Sequence, residues 1–310
     1  MTVNRVPGSP DYTQSGTNKW IPHIFSKKTI VKFYENTVIP AISNSDYEGD
    51  IKNGGDTVII QTVPTVVVRD YTKSQVLTFQ DLEAPSVTLQ INRAKYFAFK
   101  MNRVDEKQTL INMMDKASAD AAEQMKIVID REYLVNVASD AAAANQGLTA
   151  GIKSVDIDLG VTTDPVVITK VNILDILVDC ATVGDEQNWP DSDRWIVIPP
   201  WMAGMIKKSD LKDASLSGDG TSILRNGKIG SIDRWNIHVS NLYTSITDGS
   251  NKCYNVLFGH KSATCFASQL TEMEYFDKIE TGFGSLMKGL NLFDYKTLKP
   301  ESMGVLYATK

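Results

Sequence analysis

The side chains best equipped for chemistry in this sequence are three cysteines (Cys180, Cys253, Cys265), three histidines (His23, His238, His260) and two close acid pairs (Asp156 with Asp158, Asp191 with Asp193). Cys253, His260 and Cys265 are residue types that hold a soft metal, but their spacing contains no Cys-x-x-Cys or His-x-x-x-His knuckle. They fit core packing better, because a free Cys behaves as a small buried hydrophobe. The acid pairs look like fragments of a calcium loop. Neither carries the glycine and terminal glutamate of an EF-hand, so they read as solvated loop acids. The histidines are dispersed, and no nucleophile beside them can be identified. The string Gly282-Phe283-Gly284-Ser285-Leu286-Met287-Lys288-Gly289 superficially matches a phosphate-cradling loop, yet no βαβ unit surrounds it, and it reads as a structural glycine turn. Gly-x-Ser-x-Gly, His-Glu-x-x-His and Gly-x-x-x-x-Gly-Lys-[Ser/Thr] are absent. Lys207, Lys208 and Lys212 are interrupted by Asp210 and Asp213, which makes a mixed-charge loop rather than a basic patch. No catalytic residue, cofactor-binding residue or metal ligand is therefore assigned, and no cofactor is expected.

With no chemistry to position, the question becomes what the rest of the chain is built to hold. It has 310 residues, 42% hydrophobic and 22% charged, enough for two lobes or one elaborated domain. A net charge of −5 and a pI near 5.3 supply no basic field, which argues against tight phosphate binding and leaves only weak contact with DNA. The sparse, odd set of cysteines suits a reducing cytosol and predicts no disulfide. There is no run of about 18 apolar residues, and Met1 to Trp20 lacks the apolar core of a signal peptide, so a soluble, non-secreted product without membrane contact is expected.

The longest element predicted is a single helix from Asp105 to about Asn145. Asp105 with Gln108 gives a capping-box pattern at its start, and the run Ala141 to Ala144 leads into Asn145 and Gly147 at its end. Leu110, Met114, Ala117, Ala121, Met125 and Val128 recur at spacings of three and four, a narrow stripe on one face. Such a helix would be a rod of roughly 60 Å, far longer than the usual helix of about 11 residues. A coiled coil is the other use for such a rod, but strict heptads fail.

Before this spine lie two pieces that cannot bury their own apolar surface. The first 20 residues are rich in Ser, Thr, Asn, Gly and Pro and form an arm, continued by amphipathic segments to Ile42. Thr57 to Val63 reads as one strand. Val87, Leu89 and Ile91, then Arg93, Lys95, Phe97, Phe99 and Met101, read as one long period-2 strand returning to the spine. Thr65 to Ala84 between them is the far part of a long hairpin, which needs a surface to rest on. After the spine, Val155 to Val161 and Pro165 to Ile168 are short strand candidates, and Lys170 to Thr182 is a helix ending near Gly184. Arg194 to Ile198 is a buried strand stopped by Pro199-Pro200 and followed by a short helix. Lys207 to Gly220 is a long polar loop. Trp235 to Val239 and Tyr254 to Phe258 are strands, Gly259 a turn, and Ser262 to Gln269 leads into further strand material.

This order of parts resembles the major capsid protein of tailed bacteriophages, a fold shared with encapsulins. The resemblance is carried by the layout and by local strings: Gly55-Asp56-Thr57-Val58 opening the hairpin, Arg194 to Pro200 before a short helix, Gly227 to Ile232 with Trp235 to Leu242, and Val256 to Ala263. It implies an α+β fold divided into an N-terminal arm (1–48), an extended hairpin loop (49–102), a peripheral domain with the spine helix (103–164), an axial domain (165–268) and a return to the peripheral domain (269–310). It also implies a structural protein that self-assembles, through hexamers and pentamers, into an icosahedral shell around a phage genome. Its place would be the virion capsid, assembled in the host cytoplasm, with scaffolding, portal and decoration proteins as further partners. The hairpin would then lie over a neighbouring copy, making Val67, Arg69, Tyr71, Phe79 and Asp81 its interface residues. Two other readings stand beside this one: an encapsulin-type shell around protein cargo, and an enzyme with Lys207 to Gly220 as its lid.

Overall fold

The computed structural model describes residues 35, 37–46, 57–61, 64, 66–82, 86–102, 113–209, 230–276 and 284–310. The arm before Glu35, the spine's expected start at Asp105 and most of the loop from Lys207 to Gly220 lie outside them.

Strand Arg194–Ile198 (β5) is buried at every position, and the reason is a layered packing. Ile196 and Ile198 face a core containing Ile173, Leu177 and Met202, while Trp195 and Val197 face a second core containing Ile127, Leu134 and Ile42. The neighbouring strands divide in the same way. On Asn251–His260 (β9), Val256 and Phe258 face the first core and Leu257 the second. On Met303–Thr309 (β12), Leu306 and Ala308 face the first and Met303 and Val305 the second. A sheet covered on both faces needs near-continuous apolar runs in place of polar alternation, and Arg194–Ile198 has one. The sheet runs Val166–Val167 (β4), β12, β9, β5, Trp235–Val239 (β7) and Ser231–Ile232 (β6), with Ile246–Asp248 (β8) also on β9. The helices Ile173–Glu186 (α3) and Pro200–Lys208 (α4) cover one face. The spine helix Met113–Val137 (α2) and the short helix Ile39–Ile42 (α1) cover the other.

A smaller three-stranded sheet, Thr264–Phe276 (β10), Gly284–Thr297 (β11) and Arg93–Asn102 (β3), runs along the spine. Odd-numbered residues of β3 are half-buried and even-numbered ones exposed, the phase the sequence predicts. Arg93 and Lys95 both reach Glu132 on the spine, Lys95 at 2.7 Å, and Arg93 also meets Asp294 at 3.1 Å and lies 4.5 Å over the Tyr295 ring. These contacts fix the angle between sheet and helix more than they add stability.

Five expectations are corrected. The helix ends at Val137, and its described residues make about 37 Å of rod. Ala138–Asp140 and Ala143–Asn145 are single 3-10 turns separated by extended Ala141 and Ala142. Tertiary hydrogen bonds override the helical preference of the alanines: Ala142 N donates to Pro300 O at 3.2 Å, and buried Asn145 donates from Nδ2 to Glu301 O and Met303 O. The buried stripe also turns. Val128 is 43% exposed, and the helix buries Ile127, Asp130, Leu134 and Val137 on one line and Ile129 and Tyr133 beside it. The period-2 strand is two strands, Ser86–Gln90 (β2) and β3, which belong to different sheets. Val155 to Val161 holds only isolated bridges at Ile157 and Val161, because Val155 has positive φ and Asp158 Oδ1 accepts Gly160 N–H, a local turn that competes with a ladder. Gly259 lies inside β9, and the chain turns at Lys261 and Ser262. A Cβ at Gly259 would fall 2.8 Å from Ser302 O, so glycine serves close strand approach there.

Candidate assembly surface

The hairpin begins with Thr57–Gln61 (β1), which pairs antiparallel with β2 from Thr57 opposite Gln90 to Gln61 opposite Ser86. Ile60 and Leu89 are buried against Cys265 and Ala267, so the base of the hairpin is clamped to β10. Among the described residues beyond Gln61 no ladder continues, but the register persists through side chains. Val67 N donates to Gln80 Oε1 at 3.1 Å, Arg69 Nη1 donates to Thr78 Oγ1, and Thr72 N donates to Gln75 Oε1 at 3.1 Å. The chain reverses at Lys73 and Ser74, where Gln75 N donates to Thr72 O and Ser74 has φ of 74°. From its clamped base the projection reaches up to about 40 Å if fully extended.

Almost nothing on this projection is buried. Val66, Val67, Val68, Tyr71, Val76, Leu77, Phe79 and Leu82 are all exposed, with Val68 at 92% and Phe79 at 90%. Arg69, Tyr71 and Asp81 are exposed as well. The hydrogen bonds Val67–Gln80 and Arg69–Thr78 hold the two arms side by side. The five residues assigned from sequence therefore divide, with Val67, Arg69 and Tyr71 alternating along one arm and Phe79 and Asp81 along the other. Sequence reasoning passed over Val68, Val76 and Leu77, although apolar types between two polar, turn-bounded arms were a usable signal. It also passed over Tyr96, 78% exposed on the outer face of β3 opposite the half-buried row.

The residues weighed for chemistry are placed elsewhere. All three cysteines are buried thiols outside any disulfide, and burial pushes the Cys180 thiol far above its ordinary range. His260 Nδ1 is 2.8 Å from Ser262 Oγ, and burial lowers the affinity of both His238 and His260 for a proton. His23 lies outside the described residues. Asp191 joins Asp185, Arg194 and Arg234 in a four-charge cluster, with Arg234 at 2.6 and 2.8 Å from the two carboxylates. Arg194 is fully buried and also donates to Trp189 O and Pro190 O, both at 2.7 Å, so this cluster pins the turn after α3. Among the described residues no group of His, Cys, Asp or Glu has the geometry to hold a metal, and no helix is long and apolar enough to cross a membrane. Gly284 and Gly289 are strand residues of β11, not parts of a phosphate loop. A Cβ at Gly289 would fall 2.4 Å from the Phe97 ring.

No protein-family profile and no curated protein matches the chain. Solved structures do. A chain from Mycobacterium phage Che8 superposes with a TM-score of 0.72 at 21% identity, over 94% of this chain and 98% of that one. The capsid of Cyanophage P-SCSP1u gives 0.68 at 15% identity over 93% of each chain. The capsid of Ralstonia phage GP4 gives 0.66 at 12%, over 97% of this chain and 98% of that one. The chain has the α+β fold of tailed-phage major capsid proteins.

Proposed function

We propose that this chain is the repeating subunit of an icosahedral shell that encloses a phage genome, a structural rather than catalytic protein located in the virion capsid. The observation that carries the reading is the hairpin: clamped at its base, projecting from the body, and lined at its tip with large apolar side chains that the subunit leaves in water. Apolar side chains gathered on such a projection mark an interaction site. Fully burying one Val, Leu or Phe is worth about 1.5–3 kcal/mol, so a few anchors on each subunit suffice once symmetry repeats them. Val67, Arg69, Tyr71, Phe79 and Asp81 are assigned to this contact with a neighbouring copy in a hexamer or pentamer. The large sheet with α3 and α4 is assigned to the axial domain, and the spine with the three-stranded sheet to the peripheral domain. In this division β12, although it follows the returning strands β10 and β11, belongs with the axial sheet, where it pairs with β4 and β9.

Light scattering after size-exclusion chromatography tests the reading. Wild-type protein at micromolar concentration should form rings, sheets or closed shells visible by electron microscopy. Phe79→Asp should leave a folded subunit with an unchanged melting temperature that no longer assembles. A wild-type protein that stays monomeric under every assembly condition sinks the proposal.

A further inference from the structure

The helix α3 and the spine lie on opposite faces of the large sheet, and each keeps valines on the side turned away from it. On α3, Ile173, Ile176, Leu177 and Cys180 point into the first core, while Asp175 and Val178 are exposed. Val171, in the turn that enters this helix, is 77% exposed. On the spine, Ile127, Leu134 and Val137 face the second core, while Val128, Arg131 and Val135 are exposed. A β-branched residue on the solvent side of a helix gives up side-chain freedom without gaining burial, so valines are unfavourable there unless something covers them. Asp175 lies four residues after Val171 and three before Val178, and Arg131 lies four residues before Val135 and three after Val128. Read in opposite directions, the two rows share one order and spacing, apolar then charged then apolar, over about 10 Å. Their charges are opposite. Burial, and then the charges of Asp175 and Asp156, raise the affinity of Asp179 for a proton, the mark of a crowded negative face on α3. On the spine, Glu132 is taken up by Arg93 and by Lys95 at 2.7 Å, and Glu123 by Lys126 at 2.7 Å. Arg131 meets Glu35 through Nη2 at 3.2 Å, and a guanidinium has five N–H donors, enough for a second carboxylate. A shallow groove of about 330 Å³ beside it is lined by Val128, Val135 and Thr244, among others.

We propose that the two rows meet between neighbouring copies: α3 of one subunit lies antiparallel on the spine of the next, with Val171 against Val135, Asp175 against Arg131 and Val178 against Val128. The occupant of each row is a second copy of this chain, because the complementary rows sit on opposite sides of one subunit and cannot meet within it. Two different faces joined head to tail make a heterologous contact, which closes into a ring where the rotation allows. Burial of the valines supplies attraction, and the Asp175–Arg131 pair sets direction and register. The inference rests on the shell reading above and adds a contact separate from the hairpin.

Charge reversal in the full chain tests the contact. Asp175→Arg and Arg131→Asp should each keep the wild-type melting temperature, since both side chains are exposed. Each should lose rings and shells at micromolar concentration, read by light scattering and electron microscopy. The variant carrying both changes should assemble again, because opposite charges face each other once more. Single variants that assemble as wild type does, or a double variant no better than the singles, overturn the proposal. A second measurement leaves the charges alone and decides the matter even where a reversal misfolds. Val171→Cys together with Val135→Cys in one chain should give, on mild oxidation, a ladder of covalently joined copies that a reducing agent collapses. Neither single cysteine variant should give it, the three native thiols being buried. Assembled protein that yields no ladder also overturns the contact. Wild-type protein that assembles while these variants do not respond removes this contact and leaves the shell reading standing, whereas wild-type protein that stays monomeric removes both.

Discussion

At the scale of single residues, the spine shows how a helical stripe is read by what packs on it. Leu134 is 1% exposed and Val128 is 43% exposed, although both are aliphatic residues of the same helix. Leu134→Ala should cost about 2–5 kcal/mol in chemical denaturation, and Val128→Ala about 0.5 kcal/mol or less. Equal costs would mean the helix is rotated from the orientation described. Met125→Asp, on a half-buried position packed against the second core, should also destabilise far more than Lys126→Asp on the exposed side. Gly289 offers a different test, since a methyl group there runs into the Phe97 ring. Gly289→Ala should destabilise by about 1–3 kcal/mol, and Phe97→Leu in the same chain should recover part of that loss. Additive effects in the double mutant would show that the ring does not set the constraint.

At the scale of elements, the hairpin and the spine contrast in what they rest on. The hairpin's base shares a small buried cluster with β10, while its tip shares none with the body. Replacing Val66 to Glu83 by a Gly-Ser turn should therefore keep near-native circular dichroism, because closing the shorter loop costs little entropy and removes no core side chain. Assembly should be lost. A variant that melts like an unfolded chain would place the tip in the intramolecular core, and one that still forms normal shells would remove it from the interface. The spine's C-terminal half is the opposite case, with Tyr133 fully buried and packed edge-on against Tyr295 at 5.2 Å. It is held by the large sheet together with β10 and β11 of the smaller one, and that packing stabilises it where isolated helix propensity would be marginal.

At the scale of the whole molecule, charge and architecture lead to one further expectation. A net charge of −5 leaves no basic field for phosphates, so assembled protein should bind double-stranded DNA only weakly, with a shallow dependence of affinity on salt. Filter binding across a salt series measures this. A steep salt slope with tight binding at physiological salt would point to a basic inner surface that the summed charge conceals.

Local chemistry alone dictates much of this protein. The alternation in β3, the all-apolar run of β5 with its Pro199-Pro200 stop, the strand at Trp235–Val239 and a long helix before the α/β region all follow from periodicity and turn residues, and together they carried the resemblance in layout. Tertiary structure decided where long-range partners compete with local preference. Asn145 found carbonyl partners more than 150 residues away, and the helix that its neighbouring alanines favour stopped at Val137. The single period-2 strand became two because its halves met different partners, β1 and β11, while the phase of burial ran on unbroken. Asp130 reads in the sequence as one more polar residue on a solvated helix. Only the arrival of Val38 and Ile39 from 92 and 91 residues away makes it a buried carboxyl group. The exposed tip is the converse case. Its valines and aromatics are core types taken one by one; the hairpin pattern in the sequence already set them on a projection, and among the described residues nothing covers them.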